Sequence, residues 1–126
     1  MRFVHLLPVV LVILLAGCAK KDEPVIAHGK PVAHWLEELK KPDAKARKKA
    51  TGALGLVGKA DPAAIPALIR ALKDSDATVR DTAVLALLNI GPGAKEAVPA
   101  LTESSTDQDA TVRSHAAKAV ARLQGN

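Results

Sequence analysis

Arg47, Arg80 and Arg113 recur at intervals of 33 residues. So do Asp43, Asp76 and Asp109, and so do Ala50, Ala83 and Ala116. The same offset aligns Val32 with Ile65 and Val98, and Trp35 with Leu68 and Leu101. It also aligns Ala53, Ala86 and Ala119, then Leu54, Leu87 and Val120, then Val57, Ile90 and Leu123. This periodicity leaves few folds open. A unit of this size cannot bury its apolar face alone, so the units must stack and share one core.

Within each unit the spacing is helical. In the second, Ile65, Leu68, Ile69 and Leu72 fall at i, i+3, i+4 and i+7, one face of a first helix. Pro66 belongs in its first turn, where a missing N–H is tolerated. Lys73-Asp74-Ser75 reads as a turn, and Asp76 is placed to cap a second helix. Val79, Ala83, Ala86, Leu87 and Ile90 make the inner stripe of that helix. Gly91-Pro92-Gly93 is expected to stop it through a left-handed glycine, with Gly58 and Pro62 doing the same in the first unit. The second unit carries extra apolar residues, Val84, Leu85 and Leu88, where the first has Thr51, Gly52 and Gly55 and the third Ala117, Lys118 and Ala121. That gradient suits a sandwiched middle unit between two caps. Trp35 is expected to fill the core of the first unit. The fold class is therefore all-α, a short right-handed α-solenoid of three helix pairs, with repeats at about 31–62, 63–95 and 96–126.

The run Ile65-Pro66-Ala67-Leu68-Ile69-Arg70-Ala71-Leu72-Lys73-Asp74, followed by Val79-Arg80-Asp81-Thr82-Ala83, resembles a HEAT repeat. The similar type is the short HEAT-like repeat of the phycobilisome-lyase superfamily. The third unit repeats the pattern with Val98-Pro99-Ala100-Leu101, Asp107 and Val112-Arg113; the first diverges from it. The resemblance implies a structural ladder of turn aspartate and helix arginine along the stack. Asp74 with Arg80 and Asp107 with Arg113 fit that role, whereas Lys41 stands where the first unit's aspartate belongs. In the third unit Thr102 and Ser105 replace the apolar Ile69 and Leu72. Its first helix is expected to be the least stable element, fraying as a polar cap or ordered by a partner. The lyase activity is not carried over, because those proteins are longer arrays working as paired subunits.

The N-terminus reads as an address. Met1-Arg2 precedes an apolar run ending in Leu15-Ala16-Gly17-Cys18, the layout of a secretory leader. The final tetrapeptide resembles the bacterial lipobox, which implies a diacylglyceryl group on the Cys18 thiol and cleavage before it. The alternative is an uncleaved anchor helix holding a buried cysteine. Residues 1–17 are thus the signal peptide, 18–30 a lipidated polar tether and 31–126 the repeat domain. Ala19 after the cysteine favours the outer membrane or periplasmic side of a cell envelope. Each buried lipid methylene contributes about 0.8 kcal/mol, so several acyl chains would hold the protein firmly.

Catalytic chemistry has little to build on. Cys18 is the only cysteine, which excludes an internal disulfide and multi-cysteine metal sites. His28, His34 and His115 lack metal-ligand spacing. Gly52, Gly55 and Gly58 superficially suggest a phosphate loop, but spacing by threes within a helix points to close packing. No cofactor, metal or enzymatic activity is expected. Aromatic residues are 2% of the chain, so base-stacking platforms are missing and no nucleic-acid partner is expected.

Two readings of function remain. The first is a membrane-anchored scaffold that binds a protein partner on the solenoid surface. The second is an electrostatic adaptor for anionic lipid headgroups or envelope polymers. The chain carries a formal charge of +5, and Lys45, Lys48 and Lys49 share one helical face near a helix start. There they oppose the helix dipole. The partner's identity, and with it the oligomeric state, is not readable from these residues.

Overall fold

The computed structural model describes residues 23–125. The expected signal peptide, Cys18 and the start of the expected tether lie outside the described residues. A small antiparallel hairpin of β1 (Ile26–Ala27) and β2 (Lys30–Pro31) comes first. Three helix pairs follow: α1 (Val32–Glu38) with α2 (Ala44–Val57), α3 (Ala64–Ala71) with α4 (Ala77–Ile90), and α5 (Val98–Ser104) with α6 (Ala110–Gln124). A 3-10 segment, Gly91–Ala97, joins α4 to α5. The result is the expected all-α solenoid.

The repeat is a short helix followed by one about twice as long, and the long helices carry the stack. The second helices pack side by side, α2 on α4 and α4 on α6, while the first helices barely touch one another. Each long helix starts the same way. Asp43, Asp76 and Asp109 have extended backbones, and their carboxylates accept from the backbone N–H groups two and three residues on. Losing such a cap destabilises by about 1 kcal/mol. The core runs unbroken through the repeats, with Leu54, Leu68, Leu87, Leu101 and Leu123 wholly enclosed. Val84 is also buried, as a sandwiched middle unit requires, but Leu85 remains exposed on the outer face of α4.

Helix stops depart from expectation in an informative way. Gly91 has the positive φ of +73°, but its ψ of −140° lies outside the left-handed helical region, and the chain continues into the 3-10 segment. Gly58 has an ordinary right-handed φ of −62°. Space is tight there instead, since a Cβ would press on the Ile90 side chain, which would have to shift. Gly55 is similar: an added Cβ would lie 2.7 Å from the Ala86 Cβ. Gly52 is different, because its added Cβ would meet only the Thr82 Cγ2, at an ordinary 3.9 Å. Close packing thus explains two of the three glycines.

The hairpin was not anticipated. Residues 26–30 read as tether by composition, yet they cover the first repeat. Ala27 is buried, and its carbonyl accepts the Trp35 indole N–H at 3.1 Å. His28 and Gly29 form the turn with φ of +49° and +72°, the sign that the type I′ hairpin loop needs at both positions. Trp35 does lie in the core of the first repeat, and the hairpin satisfies its polar end.

The third repeat's first helix is formed. Thr102, Ser104 and Ser105 hydroxyls donate to the carbonyls four residues back, at 2.8, 3.1 and 3.2 Å. The polar substitutions therefore leave no unmet hydrogen bond, although they contribute less apolar burial than Ile69 and Leu72 do in the second repeat.

Candidate interaction surface

Arginine and aspartate form a ladder, but in a register shifted by one repeat from the expected one. Arg47 donates from Nε and Nη2 to the Asp74 carboxylate of the next repeat, at 2.8 and 3.0 Å. Arg80 does the same to Asp107, at 2.9 and 2.9 Å. These are bidentate pairs, the strongest geometry available to the two groups. The remaining nitrogen turns inward to its own repeat. Nη1 of Arg80 donates to the Asp74 and Ser75 carbonyls, and Nη1 of Arg113 to those of Asp107 and Gln108. Asp74 and Arg80 therefore meet only through the backbone, as do Asp107 and Arg113. Each arginine fastens its own turn, and Arg47 and Arg80 also reach forward to the next.

Arg47, which the expected ladder leaves out, is the first rung. Lys41 costs the ladder nothing, because only its backbone carbonyl is used, accepting from Arg47 Nη1 at 3.0 Å. Arg113 has no carboxylate partner among the described residues. A clue existed in the sequence: three arginines recur against two turn aspartates, and the unit lacking the aspartate is the first.

The bridges shift protonation in the expected directions. Burial works against the Asp74 carboxylate, but the Arg47 guanidinium and the Asp76 N–H outweigh it, leaving the pKa below the ordinary value. For Asp107 the Arg80 hydrogen bond dominates and lowers it likewise. Asp76 is lowered by the Thr78 hydroxyl and the helix N–H groups it caps. The same bonds raise Arg47 and Arg80.

The outer surface of the long helices holds the predicted basic cluster. Lys45, Lys48 and Lys49 surround a trough of about 390 Å³ that crosses α2, from His28 in the hairpin turn to Thr82 on α4, over Gly52 and Ala53. None of the three lysines has an acidic partner among the described residues, whereas Lys40, Lys41 and Lys73 pair with Glu37, Glu38 and Glu103. Lys49 also lies 5.8 Å from the centre of the Trp35 ring. Further along the same surface, His115 Nδ1 lies 2.7 Å from an Asp81 oxygen, linking α6 to α4. A second hollow, of about 610 Å³, opens between the second and third repeats, lined by Asp74, Arg80, Glu103 and Asp107 among others. Its charged groups are already engaged in the ladder or, for Glu103, with Lys73.

Among the described residues no three His, Cys, Asp or Glu side chains gather as metal ligands, and no helix is long and apolar enough to cross a membrane. Against curated proteins the chain has no match. Against protein families, residues 32–122 match HEAT repeats, a span taking in all three helix pairs. With stacked helix pairs and a repeat-to-repeat ladder already in place, that match over most of its length makes this chain a member of the HEAT repeat family.

Proposed function

We propose that this protein is a membrane-anchored, non-catalytic scaffold of the bacterial cell envelope, built from the short phycobilisome-lyase-like type of HEAT repeat, that binds a protein partner on its long-helix surface. HEAT repeat domains are generally non-catalytic scaffolds. The supporting observation is the architecture itself: a stack of rigid helix pairs whose one continuous outer face, along α2, α4 and α6, is exposed and contoured. The anchor rests on the lipobox-like Leu15-Ala16-Gly17-Cys18. With Ala19 next, the outer membrane or periplasmic side is the proposed location.

Crosslinking capture from the native membrane tests the scaffold reading. A discrete protein that stays bound in high salt is the expected result. Loss of all bound material in high salt, with anionic lipid or polymer alone in the low-salt fraction, would establish the electrostatic adaptor instead, a reading favoured by the clustering of Lys45, Lys48 and Lys49. The anchor has its own check. Cys18→Ala should abolish metabolic labelling by a fatty-acid analogue, and persistent labelling removes that cysteine as the lipid site.

A further inference from the structure

Two local preferences are violated on the same few residues of α2. Lys45, Lys48 and Lys49 place three like charges at helical-neighbour spacing in the first half of the helix, where their mutual repulsion opposes them and, for Lys45 in the first turn, so does the dipole. Gly52, one turn on, sits inside a 14-residue helix. Glycine is a poor helix former, and here nothing in the packing excludes a methyl group. Gly55 and Gly58 are explained by their neighbours on α4; Gly52 is not. A sequence that breaks local rules without a folding reason does so most often at functional sites. Both violations face one trough, the lysines as its rim and Gly52, beside the Thr82 methyl, as its floor.

We propose that this trough binds an acidic peptide segment bearing an aliphatic side chain, which lies on Gly52 beside the Thr82 methyl while flanking carboxylates reach Lys45, Lys48 and Lys49. The inference rests on the scaffold reading and names the chemistry of its partner. Charge complementarity selects an anion, and the unpaired state of all three lysines among the described residues leaves their N–H groups available. The floor selects a peptide over a lipid headgroup. Gly52, half-buried and without a side chain, leaves an apolar recess beside the Thr82 methyl, which a polar headgroup has no use for. The chain also contains its own reporter. Trp35 is the only tryptophan, with Lys49 over its ring and the His28 ring edge-on at 6.1 Å, and both of those residues line the trough.

The test titrates the full chain, in non-ionic detergent, with a synthetic peptide of glutamates around one central leucine, following Trp35 fluorescence. Saturable binding is expected, weaker in high salt. The Lys45→Gln, Lys48→Gln, Lys49→Gln triple variant should abolish it. Gly52→Leu, which fills the floor and keeps every charge, should weaken it about tenfold, the scale of one aliphatic contact. An all-glutamate peptide should show the same loss on the wild-type chain. Gly52→Ala, which adds one methyl to the floor, should weaken it by a smaller factor than Gly52→Leu, with helix content checked by circular dichroism. Unchanged binding to the triple variant overturns the proposal. So does equal binding of both peptides by the wild type and Gly52→Leu, which would mean charge alone is read. Failure of the peptide alongside lysine-dependent binding to phosphatidylglycerol vesicles overturns it in favour of a membrane surface. A captured native partner that still binds the triple variant and Gly52→Leu would overturn the trough and leave the scaffold standing.

Discussion

The two junctions between repeats carry the same bridge and different packing. Both join an arginine to the next repeat's aspartate in bidentate geometry, with side chains 11–15% exposed. Beneath the bridges they diverge. Between the first and second repeats, glycines let α2 and α4 approach, with Gly55 against Ala86 and Gly58 against Ile90. Toward the third repeat Leu88, half-buried, stands where α2 has Gly55, and the buried Val84 one turn earlier stands where α2 has Thr51, while Gly58 is matched by Gly91. The polar bond fixes register, and the small or large residues around it fix distance. A repeat array can therefore vary its local spacing while its polar frame stays constant.

The largest break is expected at the tight junction. Gly55→Leu inserts bulk where even a Cβ is excluded, so it should exceed the about 1–3 kcal/mol typical of overpacking and abolish the cooperative transition in urea. The same register at the exposed end, Ala121→Leu, should change stability by no more than about 0.5 kcal/mol. If both were tolerated, close approach would not be what the glycine serves.

Next come the bridges. Asp74→Ala and Asp107→Ala should each cost about 2–3 kcal/mol in urea titrations, because each strands a mostly enclosed guanidinium. Near-equal losses would confirm that the polar frame is shared; a large inequality would tie it to the packing beneath. The looser junction should respond to truncation instead, Val84→Ala costing about 2 kcal/mol for two enclosed methyl groups replaced by space.

Acid sharpens the same point. Asp74 and Asp107 have pKa values lowered by folding. Their contribution is complete above the unfolded aspartate value of about 3.9, and it is lost as pH falls through the lower folded values. Urea midpoints measured stepwise from pH 7 downward should fall steeply below about pH 4. In Asp74→Asn, Asp107→Asn the midpoint should be lower at pH 7 and the acid decline shallower. An unchanged acid slope would assign it to other carboxylates, Asp76 among them. The smallest effect has the opposite sign. Gly52→Ala should stabilise by up to about 1 kcal/mol in thermal melts, since it improves the helix and meets no obstacle.

The elements of this fold were readable from local chemistry. Apolar positions at helical spacing marked both helices of the second repeat, and Asp76 announced the cap that Asp43 and Asp109 also form. The basic cluster was visible too, because Lys45, Lys48 and Lys49 lie within two helical turns. Its floor was not. Gly52 looked like Gly55 and Gly58 until the position of α4 separated the glycine with room from the two without. The hairpin was hidden for a related reason: two-residue strands are too short to show alternation, and only the indole of Trp35 gives Ala27 a reason to be buried.

The period, the helix pairs, their caps and the need to stack are written in the residues themselves, because they follow from interactions within a few residues along the chain. Tertiary structure decided which partner each ladder residue takes. The residues of a repeat's turn and helix are near in sequence whichever way the carboxylate points. The bonds actually made join positions 27 residues apart, Arg47 to Asp74 and Arg80 to Asp107. Only the rise from one repeat to the next, set by how closely the long helices pack, brings a guanidinium within reach of the following turn.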